Sequence, residues 1–171
     1  MQTNDAQVQT RTRTITWDDP RTIVEAARGK AGLETLREVI AGRLPPPPMG
    51  RLMNIRLTVA NRGEVVFEGV PEEYHYNPMG IVHGGMAATI LDSALGCCVY
   101  TCVEAGDVWT TLDIKVSYLK AMTVETGLVR AIAKTIHVGR TVALAEARLV
   151  DVNDVIYAHA TSTCLIKRAA R

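Results

Sequence analysis

Residues 84–102, GGMAATILDSALGCCVYTC, read as a helix of 19 residues whose apolar positions run nearly all the way round. A helix of that kind cannot lie on a surface with one face in water; it has to be enclosed on most sides. The residues after it supply the enclosure. In TLDIKVSYL, Leu112, Ile114, Val116 and Tyr118 alternate with Asp113, Lys115 and Ser117, the period of a half-buried strand. VETGLVRAIAKTIHVG, RTVALAEARLVDV and DVIYAHATSTCLIK continue as strands, separated by turn residues. The last carries Ile156, Ala158, Ala160, Ser162 and Cys164 on one face, small enough for a helix to lie close. Ahead of the helix, LMNIRLTVAN and GEVVFEGVP form a hairpin around Asn61 and Gly63. The economical architecture is α+β, with one antiparallel six-stranded sheet wrapped around the 84–102 helix.

The first fifty residues differ in character. Residues 1–16 read as a polar, poorly ordered tail. A helix is predicted over 20–42, with Ile23, Ala27, Leu33, Leu36 and Ile40 at helical intervals; Gly29 and Gly32 weaken its first half, and Gly42 stops it. The four prolines of LPPPPMG enforce an extended, semi-rigid spacer. The organisation expected is therefore 1–50 as tail, helix and polyproline spacer, and 51–171 as the main domain.

Composition excludes several classes. A net charge of +1, with no dense block of like charge, gives no footprint for nucleic acid. No apolar run approaches the roughly 18 residues a membrane helix needs, and the N-terminus lacks the apolar core of a signal peptide. The four cysteines, Cys97, Cys98, Cys102 and Cys164, show no Cys-x-x-Cys spacing. They read as small buried hydrophobes in a reducing compartment, so a cytoplasmic location with no metal site is expected.

Within His83–Val103, Asp92 is the only carboxylate, and no lysine or arginine accompanies it. An isolated charge in an apolar run needs a partner or a task. It could be a satisfied core carboxylate, hydrogen-bonded to Thr89 or Thr111, or it could act on a substrate. His83-Gly84-Gly85 sits where the helix begins. Its glycines could serve only a tight turn, or they could open the first helix N–H groups to an anion or a polarised carbonyl. Asp92 lies two turns along, roughly 10–12 Å away on the axis. A carboxylate attacking a carbonyl carbon has to lie within about 3–3.5 Å of it. If both features act on one substrate, the helix start of one chain has to meet Asp92 of another across a two-fold.

NPMGIVHGGMAATILDSALG resembles the Asn-x-x-Gly-x-x-His-Gly-Gly…Asp signature of the hotdog-fold acyl-CoA thioesterases of the phenylacetic-acid-degradation type. Asn77 and His83 are six residues apart, and His83 and Asp92 nine. TTLDIKVSYLKAMTVETG resembles the next strand of that family, and the likeness covers about residues 51–167. It departs in having Thr111 where some relatives have serine, and in the extension before residue 51.

The resemblance implies a hotdog fold, a homodimer with joined sheets and intersubunit sites, and a dimer of dimers. Asp92 would be the general base or the nucleophile, and the Gly84 N–H would polarise the thioester carbonyl. Asn77 would hold the carbonyl or the water, His83 would order the loop or assist the leaving thiolate, and Thr111 would orient Asp92 or the water. Gly85, Arg130, Lys134 and Arg140 are the candidates for holding substrate, the three cations toward the CoA phosphates. Thioester hydrolysis of this kind needs no metal or cofactor. The rival functions are a non-catalytic acyl-CoA-binding module on the same fold, or a hotdog enoyl hydratase or dehydratase.

Overall fold

The computed structural model describes residues 9–170. Six strands form one antiparallel sheet: β1 (Ile55–Asn61), β2 (Glu64–Gly69), β3 (Val108–Tyr118), β4 (Val129–Val138), β5 (Val142–Val150) and β6 (Ile156–Lys167), in the spatial order β1-β2-β4-β5-β6-β3. Three helices, α1 (Arg21–Ala26), α2 (Gly32–Ile40) and α3 (Pro48–Met53), precede the sheet in the chain, and α4 (Gly84–Tyr100) is the helix it wraps. The enclosure inferred from the apolar pattern is present: Ile90, Leu91, Ala94, Leu95, Cys98 and Val99 are fully buried. The sheet approaches this closely because its inner face is small. Ala131, Ala133, Ala145, Ala147, Ala158 and Ala160 are each at most 1% exposed. The small face read in the last strand thus spans three strands.

Among the register shifts in the sheet, the one in β3 bears on the site. β3 pairs with β6, and the register shifts between Thr111 and Asp113. This bulge puts Leu112 outside with Asp113, so Thr111 and Trp109, opposite Cys164 and Ile166, share the inner side with Ile114 and Val116. Leu112 is 57% exposed, which corrects its placement on the Ile114 face. β3 also ends the sheet, so its outer edge is unpaired by this chain.

The leading segment is two helices, not one. Gly29 takes a left-handed φ of 76°, which ends α1 and turns the chain into α2. Gly32 then packs against the end of α4. Its N–H donates to the Val103 carbonyl at 2.9 Å, and a Cβ there would overlap the Tyr100 carbonyl oxygen. Leu36 joins the core, and Leu44 is buried behind it. The proline run is extended only as far as Pro47; Pro48 opens α3, where its missing N–H costs nothing.

Of the tail expected to be poorly ordered, the first eight residues lie outside those described. The remainder has no regular structure but is pinned. Arg13 donates to the Arg51 and Leu52 carbonyls, each at 2.8 Å, and its guanidinium lies 3.8 Å over the Tyr74 ring. Among the described residues, no helix is long and apolar enough to cross a membrane.

Candidate active site

The candidate residues fall into two groups, one at the start of α4 and one about two turns along it. The first is the start of α4. Asn77 builds the loop before it: its Oδ1 accepts the Met79 N–H at 2.9 Å and the Ile81 N–H at 3.4 Å. His83 caps the helix, its Nδ1 accepting the Gly85 N–H at 2.8 Å, so in the neutral ring the proton sits on the exposed Nε2. The Met86 N–H turns back to the His83 carbonyl at 3.0 Å. Of the first three N–H groups of α4, only that of Gly84 is left pointing forward, where the helix dipole favours negative charge. Gly85, read as a substrate contact, has its N–H engaged by His83. A Cβ on Gly84 would lie 3.1 Å from the Tyr118 ring, so the end of β3 stands beside the helix start.

The second group is Asp92 with Thr111. The Thr111 hydroxyl lies 3.4 Å from Asp92 Oδ1, with the geometry of a donor to it. Asp92 is exposed in the single chain, so the alternative of a satisfied core carboxylate does not hold; Thr89 instead donates to the Gly85 carbonyl. Gly96 lets the β3 strand come this close, since a Cβ there would meet the Trp109 ring at 3.0 Å. From Gly84 to Asp92 is eight residues, about 12 Å along α4. The chain therefore brings Asn77, His83 and Gly84 together, and separately Asp92 and Thr111, but not the two groups to one point.

Asp92 and Thr111 open onto a cleft of about 1590 Å³. Its floor is the uncovered face of α4, where Ser93, Gly96, Cys97 and Tyr100 continue from Asp92. Burial, reinforced by the Asp92 charge, pushes the Cys97 thiol up to about 12, so it lines the cleft as an inert group. Its far wall comes from the extension, which the sequence pattern presents as a helix and a spacer. The apolar positions of α2 carry the signal, but nothing in a linear pattern tells which surface they cover.

The cations expected at the CoA phosphates lie elsewhere. Arg130 pairs with Asp154 at 2.7 Å, and Lys134 with Glu146 at 3.1 Å. Arg140 is exposed in the turn between β4 and β5, and none of the three borders the cleft. Among the described residues no group of three or more His, Cys, Asp or Glu is placed to hold a metal ion.

A six-stranded antiparallel sheet curled around one long helix is a hotdog fold. The thioesterase superfamily model matches residues 79–158, which include His83, Gly84, Asp92 and Thr111. The chain is 32% identical over 87 residues to the human acyl-coenzyme A thioesterase 13, a match covering 50% of this chain and 61% of that protein. The chain thus spans less than two thirds of that relative. The mouse protein of the same name is 28% identical over 117 residues, covering 68% of this chain and 82% of its own.

Among solved structures, the phenylacetic acid degradation-related protein of Ralstonia eutropha JMP134 superposes with a TM-score of 0.69 at 26% identity, covering 76% of this chain and 98% of that one. The zebrafish thioesterase superfamily member 2 gives 0.65 at 28%, covering 78% and 96%.

Proposed function

We propose that this chain hydrolyses acyl-CoA thioesters to the free acid and CoA, at sites shared between two copies. The observation that carries the reading is the split of the site. A carboxylate held by Thr111 and a free helix-start N–H stand about 12 Å apart along α4, too far for one carbonyl. The unpaired edge of β3 offers the remedy. An antiparallel two-fold through the middle of β3 runs the Tyr118 end of one strand beside the Val108–Thr111 end of the other. Because Tyr118 stands against Gly84, that pairing carries the helix start of one copy toward Asp92 of its partner.

In such a site the Gly84 N–H takes up the charge that develops on the thioester oxygen. Asp92, as general base on a water or as nucleophile, delivers the attack on the carbonyl carbon. The carbon–sulfur bond breaks and CoA leaves as a good thiolate. Asn77, through its Nδ2, and His83, through its exposed Nε2, stand where they can hold the substrate oxygen or the leaving group. Thr111 is a positioning residue for Asp92.

A further association into a dimer of dimers would cover the outer sheet face, where Leu112, Leu144 and Leu165 are 57%, 39% and 40% exposed. The free thiols suit a reducing compartment such as the cytoplasm. The test is free-thiol release by the full-length purified protein from a panel of short, medium and aromatic acyl-CoAs. Turnover is expected. Binding of CoA esters without any turnover would replace this reading with a non-catalytic acyl-CoA-binding module.

A further inference from the structure

From Asp92 the open face of α4 runs past Ser93 and Cys97 to Tyr100, about 12 Å of helix, while Gly96 lies beneath the Trp109 ring. Ser93 leaves a shallow floor along it, and Cys97 adds a thiol that stays neutral. At the far end the cleft leaves the common fold and enters the extension. Leu36, Val39 and Ile40 of α2 border it, followed by Leu44, Pro45 and Pro46. This wall is rigidly seated. Gly32 is locked against the Tyr100 backbone, Leu36 belongs to the core, and successive prolines hold the segment after Leu44 extended. These six side chains are aliphatic, whereas Tyr100 and Trp109 lie stacked at 5.3 Å along the β3 side of the cleft and Phe67 borders it from β2.

We infer that the N-terminal extension is the distal wall of the acyl site, and that Val39 and Ile40 set how far an aliphatic acyl chain can reach from Asp92. This rests on the thioesterase reading and deepens it. A thioester whose carbonyl sits at Asp92 has an acyl tail to bury, and the cleft leads from that point along the α4 face, beside Leu57 and Phe67, to the extension. A two-carbon acyl group ends over Ser93 and gains nothing from the extension. A medium-length alkyl chain passes Ser93 and Cys97 and meets α2, where each methylene removed from water adds about 0.8 kcal/mol of binding. A flat aryl group fills the near part of the cleft and leaves the aliphatic wall uncovered. The substrate class is therefore the thioester of a medium-length aliphatic acid.

Val39 and Ile40 are partly exposed, so a larger side chain there fills the cleft without overpacking the core. The experiment compares kcat/KM for decanoyl-, acetyl- and benzoyl-CoA in the full-length wild type and in Val39→Trp and Ile40→Trp. Arg37→Trp, on the same helix but away from this cleft, is the control for the added bulk. The wild type is expected to favour decanoyl-CoA, and the decanoyl-to-acetyl ratio to fall about 30-fold in either cleft variant but not in the control. A wild type that favours benzoyl-CoA, or a ratio unmoved in both variants, overturns the inference.

A wild type inert toward all three thioesters overturns hydrolysis instead. Calorimetric titration with decanoyl-CoA and acetyl-CoA then decides the wall on its own. Tighter binding of decanoyl-CoA that is lost in Val39→Trp and Ile40→Trp upholds it, and equal binding of the two esters removes it.

Discussion

The Thr111 hydroxyl reaches Asp92 Oδ1 at 3.4 Å only because the β3 backbone bulges one residue later, at Leu112. Without the bulge, Thr111 would point away from α4 whenever Ile114 and Val116 point toward it. The hydroxyl holds the carboxylate without displacing it from the cleft.

Thr111→Val is therefore expected to lower kcat about tenfold, with KM for a decanoyl or acetyl thioester nearly unchanged. Thr111→Ser, which keeps the donor, should restore most of the loss. Steady-state kinetics on the three proteins checks this. A fall in Thr111→Ser equal to that in Thr111→Val would make Thr111 a packing residue only.

Gly84→Pro removes the one helix-start N–H that is left free. The backbone accepts the change, because Gly84 is the first helical residue and His83 before it has a ψ of 134°, as a residue preceding proline prefers. The Tyr118 ring, 3.1 Å from the added Cβ, has to give slightly; Gly84→Ala, which adds the same Cβ but keeps the N–H, is the control. Circular dichroism of Gly84→Pro should match the wild type while turnover falls about 100-fold. Mixing Gly84→Pro and Asp92→Asn chains through unfolding and refolding should then regain about a quarter of wild-type activity, since half the dimers are mixed and each has one intact site of two. No recovery on mixing would place the whole site within one chain.

Much of this arrangement is legible in the sequence, and what is not has a physical cause. The enclosed helix comes from its all-round apolar pattern, and the strands from their period of two. The proposal of a two-copy site follows from the rise per residue between Gly84 and Asp92. The bulge at Leu112 leaves no mark, because alternation continues in register on each side of it and only the pairing with β6 reveals the slip. The break at Gly29 depends on a left-handed φ that glycine permits but does not require. The cleft wall is a tertiary fact: Val39 and Ile40 look like any apolar helix positions until α2 is docked through Gly32. The ion pairs of Arg130 and Lys134 are likewise tertiary, since these strand-face cations meet carboxylates on the neighbouring turn and strand.

Gly32 carries the docking of the extension. Gly32→Ala would drive a methyl into backbone, which cannot rotate aside, and should cost about 1–3 kcal/mol of stability. Thermal unfolding measures the loss, and limited proteolysis should show faster cleavage in the segment before α2. Unchanged stability and protection would mean that the extension is held by α2 side chains alone.

His75 makes stability depend on pH. Burial, with the Arg13 charge adding to it, holds its imidazole below the ordinary 6.5. Its Nδ1 accepts the Glu72 N–H at 3.0 Å, a bond that protonation would abolish. The unfolded chain thus binds the proton more readily than the folded one. The stability this supplies is fully present above 6.5 and is lost as pH falls through the lower folded value. Between about pH 7.5 and pH 5 the melting temperature should fall further for wild type than for His75→Asn, which keeps an acceptor but does not titrate. Equal falls would remove His75 from the acid response.

Free-thiol release by Asp92→Asn beside the wild type, on whichever acyl-CoA the wild type turns over fastest, tests the role of the carboxylate most directly. Asparagine keeps the size and the Thr111 contact but cannot take a proton or attack. A loss of about 100-fold or more in kcat, with the ester still bound as tightly, is the result expected of a carboxylate that performs the attack. Turnover by Asp92→Asn within a few-fold of wild type would contradict it, and the chemistry would then have to be sought at the start of α4 alone.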